Sequence, residues 1–451
     1  MNFNLKNGLD IPITGAPNQV IEQGKPIKHV ALLGLDYIDL KPSMAVRIGD
    51  QVAAGQLLFT DKKNPGIKIT APVCGKIIAI HRGERRKFES IVIQREGDNQ
   101  LTFTSTDKDP NQQSDQKAIK ILLIDSGLWT SLRTRPYGKI ASPSSTPSSI
   151  FVTAMDTLPL AAAPEIIINE ARSDFLSGLK IIQTLGPKTY LCSSQKVIIP
   201  GEKLQGITSC KFEGPHPAGL PSTHIHFVDP VGPGKEVWHI GYQDVIAIGS
   251  FFRTGQIPST QIVALCGPAV NNPRLIKTIR GAAINEICHD EVIQDNSRIL
   301  SGSALTGHQA SGSKGYLGRY HQQVCALPIE NGAGFLSWLR LGADRFSSLP
   351  IFLSGITGSV SQKNKTPMST ATWGGRRAIF PLGTYEKMIP LNIIATSLLK
   401  SVATGNTEKA AELGCLELVE EDLALCSFVC PGKNNFGPML RTVLRKIEQD
   451  G

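Results

Sequence analysis

The chain has 451 residues, 41% of them hydrophobic and 19% charged, which predicts a folded soluble protein of about two to four domains. No apolar run of about 18 residues predicts a membrane-spanning helix, and we find no secretion signal at the start. Nine scattered cysteines do not predict a disulfide framework, so we expect a reducing cytoplasm. The net charge of +9 with only 6% aromatic residues favours a solvated or membrane-facing surface over nucleic-acid binding.

Residues 43–95 predict a compact all-β unit, because short apolar stretches alternate with glycine and Asn-Pro-Gly turns. The pattern V-x-x-G-D-x-V-x-x-G-Q-x-L, followed by I-x-A-P-x-x-G-x-I, resembles the biotinyl/lipoyl carrier fold. We therefore expect a barrel-sandwich hybrid over about residues 28–97. Carriers hold a modifiable lysine on an exposed hairpin. The loop here contains Lys62 and Lys63 but is longer, so we favour a structural module over a working carrier. The basic run His81–Lys87 predicts a hairpin tip.

The next part of the chain alternates strands and helices, which is typical of a parallel α/β sheet. We predict a strand and turn over Ile119–Gly127, and strands over Ser149–Thr157 and Thr189–Ser194. A helix is predicted over Glu165–Gly186. These elements predict a Rossmann-like α/β domain over residues 115–258.

From residue 261 the chain has short strands separated by Gly-Pro, Asn-Asn-Pro and glycine turns, and then a short helix. This order resembles the soluble-ligand-binding β-grasp module, which we place at residues 259–330. The segment Leu391–Gly451 is predicted to be mostly helical. The predicted fold is thus multidomain α+β, with an N-terminal region of residues 1–105 and a C-terminal region of residues 331–451.

The helical tail contains part of an iron–sulfur pattern. Cys426, three residues and Cys430-Pro431 match the end of the ferredoxin pattern C-x2-C-x2-C-x3-C-P. Glu420 and Leu423 occupy the positions of the first two cysteines. We therefore interpret this tail as a degenerate, ferredoxin-like remnant and not as a metal site.

Three histidines lie close together in GPHPAGLPSTHIHF. On a strand, His224 and His226 would point to the same face, where two imidazoles can hold a metal ion. No cysteine or carboxylate at tight spacing completes a ligand set. We therefore favour packing of His216, His224 and His226 in an irregular turn.

The stretch DSGLWTSLRTRPYGK, from Asp125 to Lys139, combines aromatic and cationic side chains after a predicted strand. That position is the carboxyl edge of the sheet, where open α/β sheets bind ligands. Aromatic rings with fixed cations suit a flat ligand with polar groups, such as a quinone. A structural tryptophan with surface arginines is the alternative.

Five motifs, in order, resemble the A subunit of the Na+-translocating NADH:quinone reductase. They are GLDIPITGAPNQVIEQGKPIKHVALLG, DSGLWTSLRTRP, GPHPAGLPSTHIHF, YLGRYHQQV and ALCSFVCPGKNNFGP. The similarity extends from Gly8 to Gly451. That family is related to the C subunit of Rnf complexes and to the flavin-carrying subunit of respiratory complex I, and its domain order agrees with the one predicted here.

The resemblance implies a peripheral subunit on the cytoplasmic face of the bacterial inner membrane. It implies a six-subunit enzyme that oxidises NADH, reduces ubiquinone and exports Na+, so that the isolated chain is not expected to be active alone. The partners are the other five subunits, B to F, chiefly the membrane B subunit and the C subunit. Na+ translocation is expected on the membrane subunits.

The resemblance also implies that FMN, FAD, riboflavin and the iron–sulfur centres lie on partner subunits, with no cofactor bound by this chain. Flavin-carrying relatives have a glycine-containing loop that approaches phosphates, but bulky side chains stand in the corresponding Gly127–Pro136. Only two of the four cluster cysteines remain.

The family is associated with the quinone end of the electron path, and its motifs define no catalytic residue. A quinone needs an apolar groove and donors for its carbonyl oxygens. We predict that the segment LLGLDYIDL lines the ring or tail, and that the segment Trp129–Tyr137 supplies donors that stabilise charge on the reduced ring. The predicted quinone site consists of Leu33, Leu35, Tyr37, Trp129, Arg133, Arg135 and Tyr137.

Two other functions remain open at this point. The chain is alternatively a cofactor-free assembly and docking scaffold of the same complex, with the quinone site on membrane subunits. In a third, weaker hypothesis it is a biotin- or lipoate-type carrier through Lys62 or Lys63.

Overall fold

The computed structural model describes residues 1–103, 116–232, 234–293, 296–330, 341–343, 345–349, 351–357, 360–361, 364–372 and 374–450. Most of residues 100–117, a polar stretch whose sequence predicts a helix or a linker, therefore lies outside the described residues. The strands are β1 (Asn2–Asn4), β2 (Asn18–Gln23), β3 (His29–Leu33), β4 (Pro42–Met44), β5 (Gln51–Val52), β6 (Leu57–Asp61), β7 (Lys68–Thr70), β8 (Gly75–Arg82), β9 (Phe88–Arg95), β10 (Arg133–Arg135), β11 (Ile150–Ala154), β12 (Thr189–Ser194), β13 (Ile207–Glu213), β14 (Val237–Gly241), β15 (Thr260–Cys266), β16 (Arg274–Ile279), β17 (Ser297–Ser301), β18 (His308–Gln309) and β19 (Gln323–Pro328). The helices are α1 (Gln116–Asp125), α2 (Pro164–Glu170), α3 (Arg172–Gln183), α4 (Pro221–Val228), α5 (Tyr242–Thr254), α6 (Ile284–Ile287), α7 (Leu353–Thr357), α8 (Ala395–Thr404), α9 (Thr407–Glu412), α10 (Ala424–Val429) and α11 (Phe436–Asp450).

The N-terminal module consists of two antiparallel sheets, β3-β9-β8-β5 and β4-β6-β7. Alternating side chains such as Leu58, Ile77 and Ile91 are fully buried between them. The predicted all-β unit is confirmed. The basic run His81–Lys87 forms the connection between β8 and β9, as predicted.

The α/β domain has the sheet order β1-β13-β12-β11-β14-β10. All neighbours pair in parallel except β10, which pairs antiparallel with β14. Every residue of β11 is buried, because α3 and α5 pack on one face of the sheet and α4 packs on the other. This domain therefore has the continuous apolar strands of a parallel sheet.

One strand of this domain was predicted wrongly. The segment from Ile119 is helical in α1, which ends at Asp125. Ile119 and Leu123, four residues apart, are buried, whereas Ile121 is 57% exposed. That spacing is the period of a helix and not of a strand. The predicted helix Glu165–Gly186 is present as two helices, α2 and α3, separated at Ala171.

The chain order of the strands creates a switch point in the sheet. After β11 the chain adds β12 and then β13 on one side, and it later adds β14 on the other side. The carboxyl ends of β11 and β14 therefore face a common crevice, the usual position of a ligand in an open α/β sheet.

The fourth sheet has the order β18-β17-β19-β15-β16-β2. The start of the chain is shared between sheets, because β1 pairs with β13 and β2 pairs with β16. One apolar core includes residues from all four sheets. A second core holds the helical tail together and includes Ile11, Leu398 and Leu440. The mostly helical tail was predicted correctly.

No described helix has the length and apolarity that crossing a bilayer requires.

Candidate functional site

A cavity of about 570 Å³ lies where all four parts of the chain meet. Its walls include Asp36 from the N-terminal module, Arg133 from the α/β domain, His321 from the segment before β19, and Glu421 from the tail. We call it the junction cavity. Its volume lies within the usual range for small-molecule sites, about 300–1,000 Å³.

The junction cavity is at the switch point of the α/β sheet. Thr153 and Asp156 at the carboxyl end of β11, and Gly241 at the end of β14, line it. The sheet therefore has the predicted crevice at its carboxyl edge. Strands β11 and β14 form this crevice, whereas the segment before Trp129 was predicted to form it.

Arg133 presents a cationic group to this cavity. Its guanidinium carbon lies 4.3 Å from the centre of the Tyr320 ring, which Arg319 also approaches at 5.4 Å. The Tyr320 hydroxyl donates to Thr130 O at 2.7 Å, which fixes the ring. Arg133 has no ion-pair partner among the described residues, so its charge is available to a ligand.

Arg135 is fully buried and is occupied by protein groups. Its Nε donates to Ser222 Oγ at 2.9 Å, and Nη1 donates to His239 Nε2 at 2.8 Å. Nη2 lies 3.3 Å from Glu421 Oε1. Burial lowers the pKa of Arg135, and burial with the charge of Arg135 also lowers the pKa of His239, which is therefore neutral.

Asp36 lies in the wall between the junction cavity and a small cavity of about 70 Å³. Its Oδ2 accepts a hydrogen bond from Arg319 N at 2.9 Å. Burial raises the pKa of Asp36 to about 7, although the charges of Arg319 and Arg133 oppose this. Arg319 itself is paired with Asp244 at 2.9 Å, so it neutralises Asp36 only in part.

Asp156 is a second carboxyl in the cavity wall. Its Oδ1 accepts a hydrogen bond from Leu158 N at 2.8 Å. Burial raises the pKa of Asp156 to about 7, and Glu421 adds to the rise. In the part of the chain that the structure describes, Asp156 forms no ion pair, so protonation is its main route to neutrality.

Three buried polar atoms of cavity-lining residues have no hydrogen-bond partner among the described residues. They are Thr153 Oγ1, Tyr242 Oη and Gln323 Oε1, on residues that are 8%, 2% and 2% exposed. Buried polar atoms are usually paired with protein, water or a ligand. The residues around the junction cavity therefore include polar groups whose hydrogen bonds the described residues do not complete.

Comparisons with known proteins agree with the division of the chain into an N-terminal module, an α/β domain and the part that follows it. Family models match residues 3–96 as the NqrA N-terminal barrel-sandwich hybrid domain, 114–257 as the NqrA second alpha/beta domain and 262–312 as the NQRA C-terminal domain. The A subunit of the Na(+)-translocating NADH-quinone reductase of Pseudomonas aeruginosa is 49% identical over 449 residues, which covers 100% of both chains. The A subunit of the same enzyme from Actinobacillus pleuropneumoniae serotype 5b is 49% identical over 453 residues, again over 100% of both chains.

The chain belongs to the NqrA family, the A subunits of the Na(+)-translocating NADH-quinone reductase. The predicted family is confirmed, and its members are subunits of an oxidoreductase complex. A solved NAD+-reducing [NiFe]-hydrogenase, in the air-oxidized state, is 11% identical to this chain with a TM-score of 0.38, over 73% of this chain and 63% of the other. A TM-score and an identity this low support no conclusion about the fold or the function of this chain.

The structure brings three of the seven predicted quinone-site residues to the junction cavity. They are Leu35, Arg133 and Arg135. Leu35 is 41% exposed, so its side chain is free to cover a ligand.

The other four lie elsewhere in this NqrA chain. Leu33 is fully buried within the N-terminal module, and Tyr37 packs edge-on against Phe59 and lines only the small cavity. Trp129 is buried against Trp238, and its Nε1 donates to Ala141 O at 2.7 Å, which is the structural role held as the alternative. Tyr137 packs against the helical tail.

The three histidines do not share a strand face. His224 and His226 lie on α4, where residues two apart point in different directions. His224 Nε2 bonds with Ala218 O, and burial lowers its pKa to about 3. His216 bonds with Thr157, and burial lowers its pKa to about 4. His226 bonds with Glu417 Oε2 at 2.6 Å. The favoured packing role is consistent with these contacts.

Cys426 lies within α10 and Cys430 directly follows this helix, and both are buried. Cys430 Sγ accepts hydrogen bonds from Tyr385 Oη at 3.1 Å and Asn434 N at 3.4 Å. Burial alone would raise the pKa of Cys430, but these donors bring it below its usual value, whereas burial raises the pKa of Cys426. Within the described ranges, no group of three or more His, Cys, Asp or Glu side chains could hold a metal ion.

Most residues that line the cavity were not predicted from the sequence, among them Asp36, Asp156, Tyr320 and His321. Two of them lie in YLGRYHQQV, a motif that identified the family but was not considered as part of a site. Asp36 lies inside the predicted segment LLGLDYIDL, where only the apolar and aromatic residues were selected. Asp156 lies inside the predicted strand Ser149–Thr157, two residues after the end of the observed strand β11 at Ala154.

Proposed function

We propose that this chain binds ubiquinone and takes part in its reduction to ubiquinol, coupled to Na+ export by the complex, with the quinone ring in the junction cavity. The observation that carries the proposal is a cation without an ion-pair partner among the described residues, Arg133, in a cavity at the switch point of the α/β sheet. The family's name supports a quinone as the substrate of the complex.

The walls supply both kinds of contact that a quinone needs. Leu35, Leu305 and Val419 offer apolar surface for the ring substituents and the tail. The Arg133 guanidinium can donate to a carbonyl oxygen and stabilise negative charge that develops there on reduction. Thr153 and Gln323 are lining residues with an oxygen that has no partner among the described residues, and a small turn of either side chain would let it accept from a hydroxyl group of ubiquinol.

A titration of the isolated chain with a short-tail ubiquinone, followed by calorimetry, tests the proposal. We expect saturable binding that Arg133→Ala weakens by about 10- to 100-fold, the effect of losing one charge-assisted hydrogen bond. The matched control is Arg253→Ala, because Arg253 is 58% exposed and pairs with Asp174 away from the cavity. That variant should bind like the wild type.

The alternative outcome identifies the docking scaffold. If the wild-type chain shows no binding at quinone concentrations that support turnover of the whole complex, the quinone site lies on membrane subunits. Binding that survives Arg133→Ala unchanged would reject the junction cavity as the site.

We also propose that this chain docks on the other subunits, B to F, chiefly on the membrane B subunit and the C subunit, at the cytoplasmic face of the inner membrane. We further propose that flavins and iron–sulfur centres lie on those partners. Four buried side chains, Leu128–Ser131, fill the turn where flavin-carrying relatives need open backbone, which supports this. A flavin or iron–sulfur absorption band from the isolated chain would refute it, and co-purification with the B and C subunits tests the docking.

The finer fold assignments are proposals of the same kind. The mostly parallel sheet with a switch point supports a Rossmann-like domain at residues 115–258. The pairing of β15 with β16 and β19 around the short helix α6 supports a β-grasp domain at residues 259–330.

A further inference from the structure

A second cavity lies beside the junction cavity at the ends of β11, β12 and β13. It has a volume of about 430 Å³, and its lining includes Glu165, Lys196 and Glu213. The Lys196 side chain is 74% exposed and the Glu213 side chain 45%, so this sheet-end cavity reaches solvent.

Two residues, Met155 and Asp156, line both cavities. Of the two, only Asp156 can bind and release a proton. The hydrogen bond from Leu158 N fixes its carboxyl at the end of β11, a rigid central strand. The wall between the solvent-facing cavity and the proposed quinone cavity thus carries one carboxyl with no cation paired to it among the described residues.

We infer that Asp156 is the relay that carries protons from solvent to the quinone in the junction cavity. The inference rests on the proposed function, because reduction of a quinone consumes protons where the quinone is bound. Ubiquinone takes up two electrons, which the complex supplies from NADH, and two protons.

In each transfer the Asp156 carboxyl loses its O–H bond and the reduced quinone oxygen gains one. The resulting carboxylate then takes up a proton from bulk solvent, which reaches it through the sheet-end cavity. Two such cycles give ubiquinol and leave Asp156 protonated, so atoms and charges balance. A pKa of about 7 suits this role, because the group can both give and regain a proton near neutral pH.

Several charged or titratable groups face Asp156 from the elements around it. Glu421 and Tyr242 lie on the junction side, and both interact with it electrostatically. Glu165, Lys196 and Glu213 line the sheet-end cavity. His216 approaches through its hydrogen bond with Thr157 and is neutral above pH 4. Lys196 is the cation in this set. Because its side chain is exposed to solvent, its charge acts only weakly on Asp156, which can still be protonated at neutral pH.

The experiment uses the purified whole complex with Asp156→Asn, which keeps the shape of the side chain but cannot release a proton. At about pH 8 we expect kcat for ubiquinol formation to fall by about 100-fold, the usual size of a lost proton transfer. We expect KM to stay within about twofold of the wild-type value, since the side chain keeps its shape. Asp156→Glu should restore most of the rate, and the wild-type decline above about pH 7 should be absent from Asp156→Asn.

Three controls separate the relay from damage and from failure of the proposed function. NADH oxidation with ferricyanide, which takes up no proton, should be unchanged in Asp156→Asn. Asp174→Asn, at a carboxylate of the same domain that pairs with Arg253 and lines neither cavity, should behave like the wild type. If the wild-type chain binds quinone but Asp156→Asn keeps the wild-type kcat and pH profile, the relay is wrong and the quinone site stands. If the wild-type chain binds no quinone, both are wrong.

Discussion

Gly318 holds the Asp36 carboxyl and the His321 imidazole close together at the wall of the junction cavity. A Cβ atom at this position would lie 2.5 Å from His321 Nδ1 and 3.0 Å from Asp36 Oδ1. His321 cannot simply turn away, because its Nδ1 is 2.9 Å from Ser301 Oγ, which also accepts from Gly318 N. The absence of a side chain here therefore lets the segment between β18 and β19 approach the N-terminal module this closely.

We predict that Gly318→Ala lowers the free energy of unfolding by about 1–3 kcal/mol, the usual cost of forcing extra volume into a packed site. It should also weaken quinone binding, because both neighbours line the cavity. Urea denaturation and the quinone titration measure the two effects. Gly232→Ala is the matched control, since no atom lies within 4 Å of its added Cβ. Equal stability of the two variants would contradict the prediction.

The raised pKa of Asp156 has a consequence for stability as well as for catalysis. Burial raises this pKa to about 7, whereas an unfolded Asp titrates near 3.9. The folded state therefore holds the proton more tightly. The group contributes stability that is fully present below about pH 3.9 and is lost as the pH rises through 7.

We predict that Asp156→Asn becomes more stable relative to the wild type as the pH rises from about 4 to 7, with no further change above pH 8. Asparagine keeps the shape of the protonated side chain but escapes the cost of a buried charge. Urea denaturation of both proteins at several pH values measures the difference. A difference that does not vary with pH would mean that Asp156 is ionised in the folded protein.

At the scale of single elements, the hairpin between β6 and β7 tests the carrier hypothesis. Lys62 and Lys63 are exposed, but the loop lies against the α/β domain. Asn64 Nδ2 donates to Ile140 O at 3.3 Å, and a Cβ at Gly66 would lie 3.5 Å from Pro143. A carrier lysine must sit on a hairpin that is free to move away from the rest of the protein. The contacts of this loop with the α/β domain therefore oppose a carrier role.

We therefore predict that the chain purified from its host has an unmodified mass at both lysines. Intact-mass spectrometry and a peptide map of the loop measure this, and the peptide map distinguishes the two lysines. A biotinyl or lipoyl adduct would establish the carrier hypothesis in place of the structural module.

The elements that sequence patterns predicted well are those with one clear period. Strands β11 and β12 and the tail helices have apolar runs or spacings that fit a single structure. The segments that form α1 and α4 have no spacing that fits a single structure. The run after Ile119 is apolar at both strand and helix spacings, and Pro221 is compatible with a turn as well as with the first turn of a helix. Packing against the core decided both segments in favour of helix.

The site depends on a longer-range property, the order of strands in the sheet. The sequence contains β11 and β14 as separate apolar runs, but nothing local shows that they are neighbours. The junction cavity follows from that pairing together with the docking of the tail. This is why Arg133 and Leu35 could be selected by residue type, whereas Asp156 could be selected only after the fold was known.

At the scale of the whole molecule, buried polar contacts join the tail to the α/β domain. Arg135 contacts Ser222 and Glu421, and Ser222 Oγ donates to Asp422 Oδ2 at 2.7 Å. Asp422 Oδ2 also accepts from Val419 N at 2.7 Å. Burial raises the pKa of Asp422 to about 7, and the charge of Arg135 opposes this rise. Arg135 thus favours the charged form of a buried carboxyl, and we infer that the junction cavity depends on Arg135 for its shape.

We predict that Arg135→Ala lowers the free energy of unfolding by about 3–5 kcal/mol, because it leaves buried acidic groups without their cation. Amide hydrogen exchange in α11 should become faster, since the tail loses its contact with β10. Arg253→Ala removes an exposed ion pair on the same domain and should cost less than about 1 kcal/mol. Arg135→Ala combined with Asp422→Asn should recover part of the loss, because the uncompensated carboxyl is then removed. Unchanged exchange in α11 would show that apolar packing alone holds the tail, and that the cavity keeps its shape without Arg135.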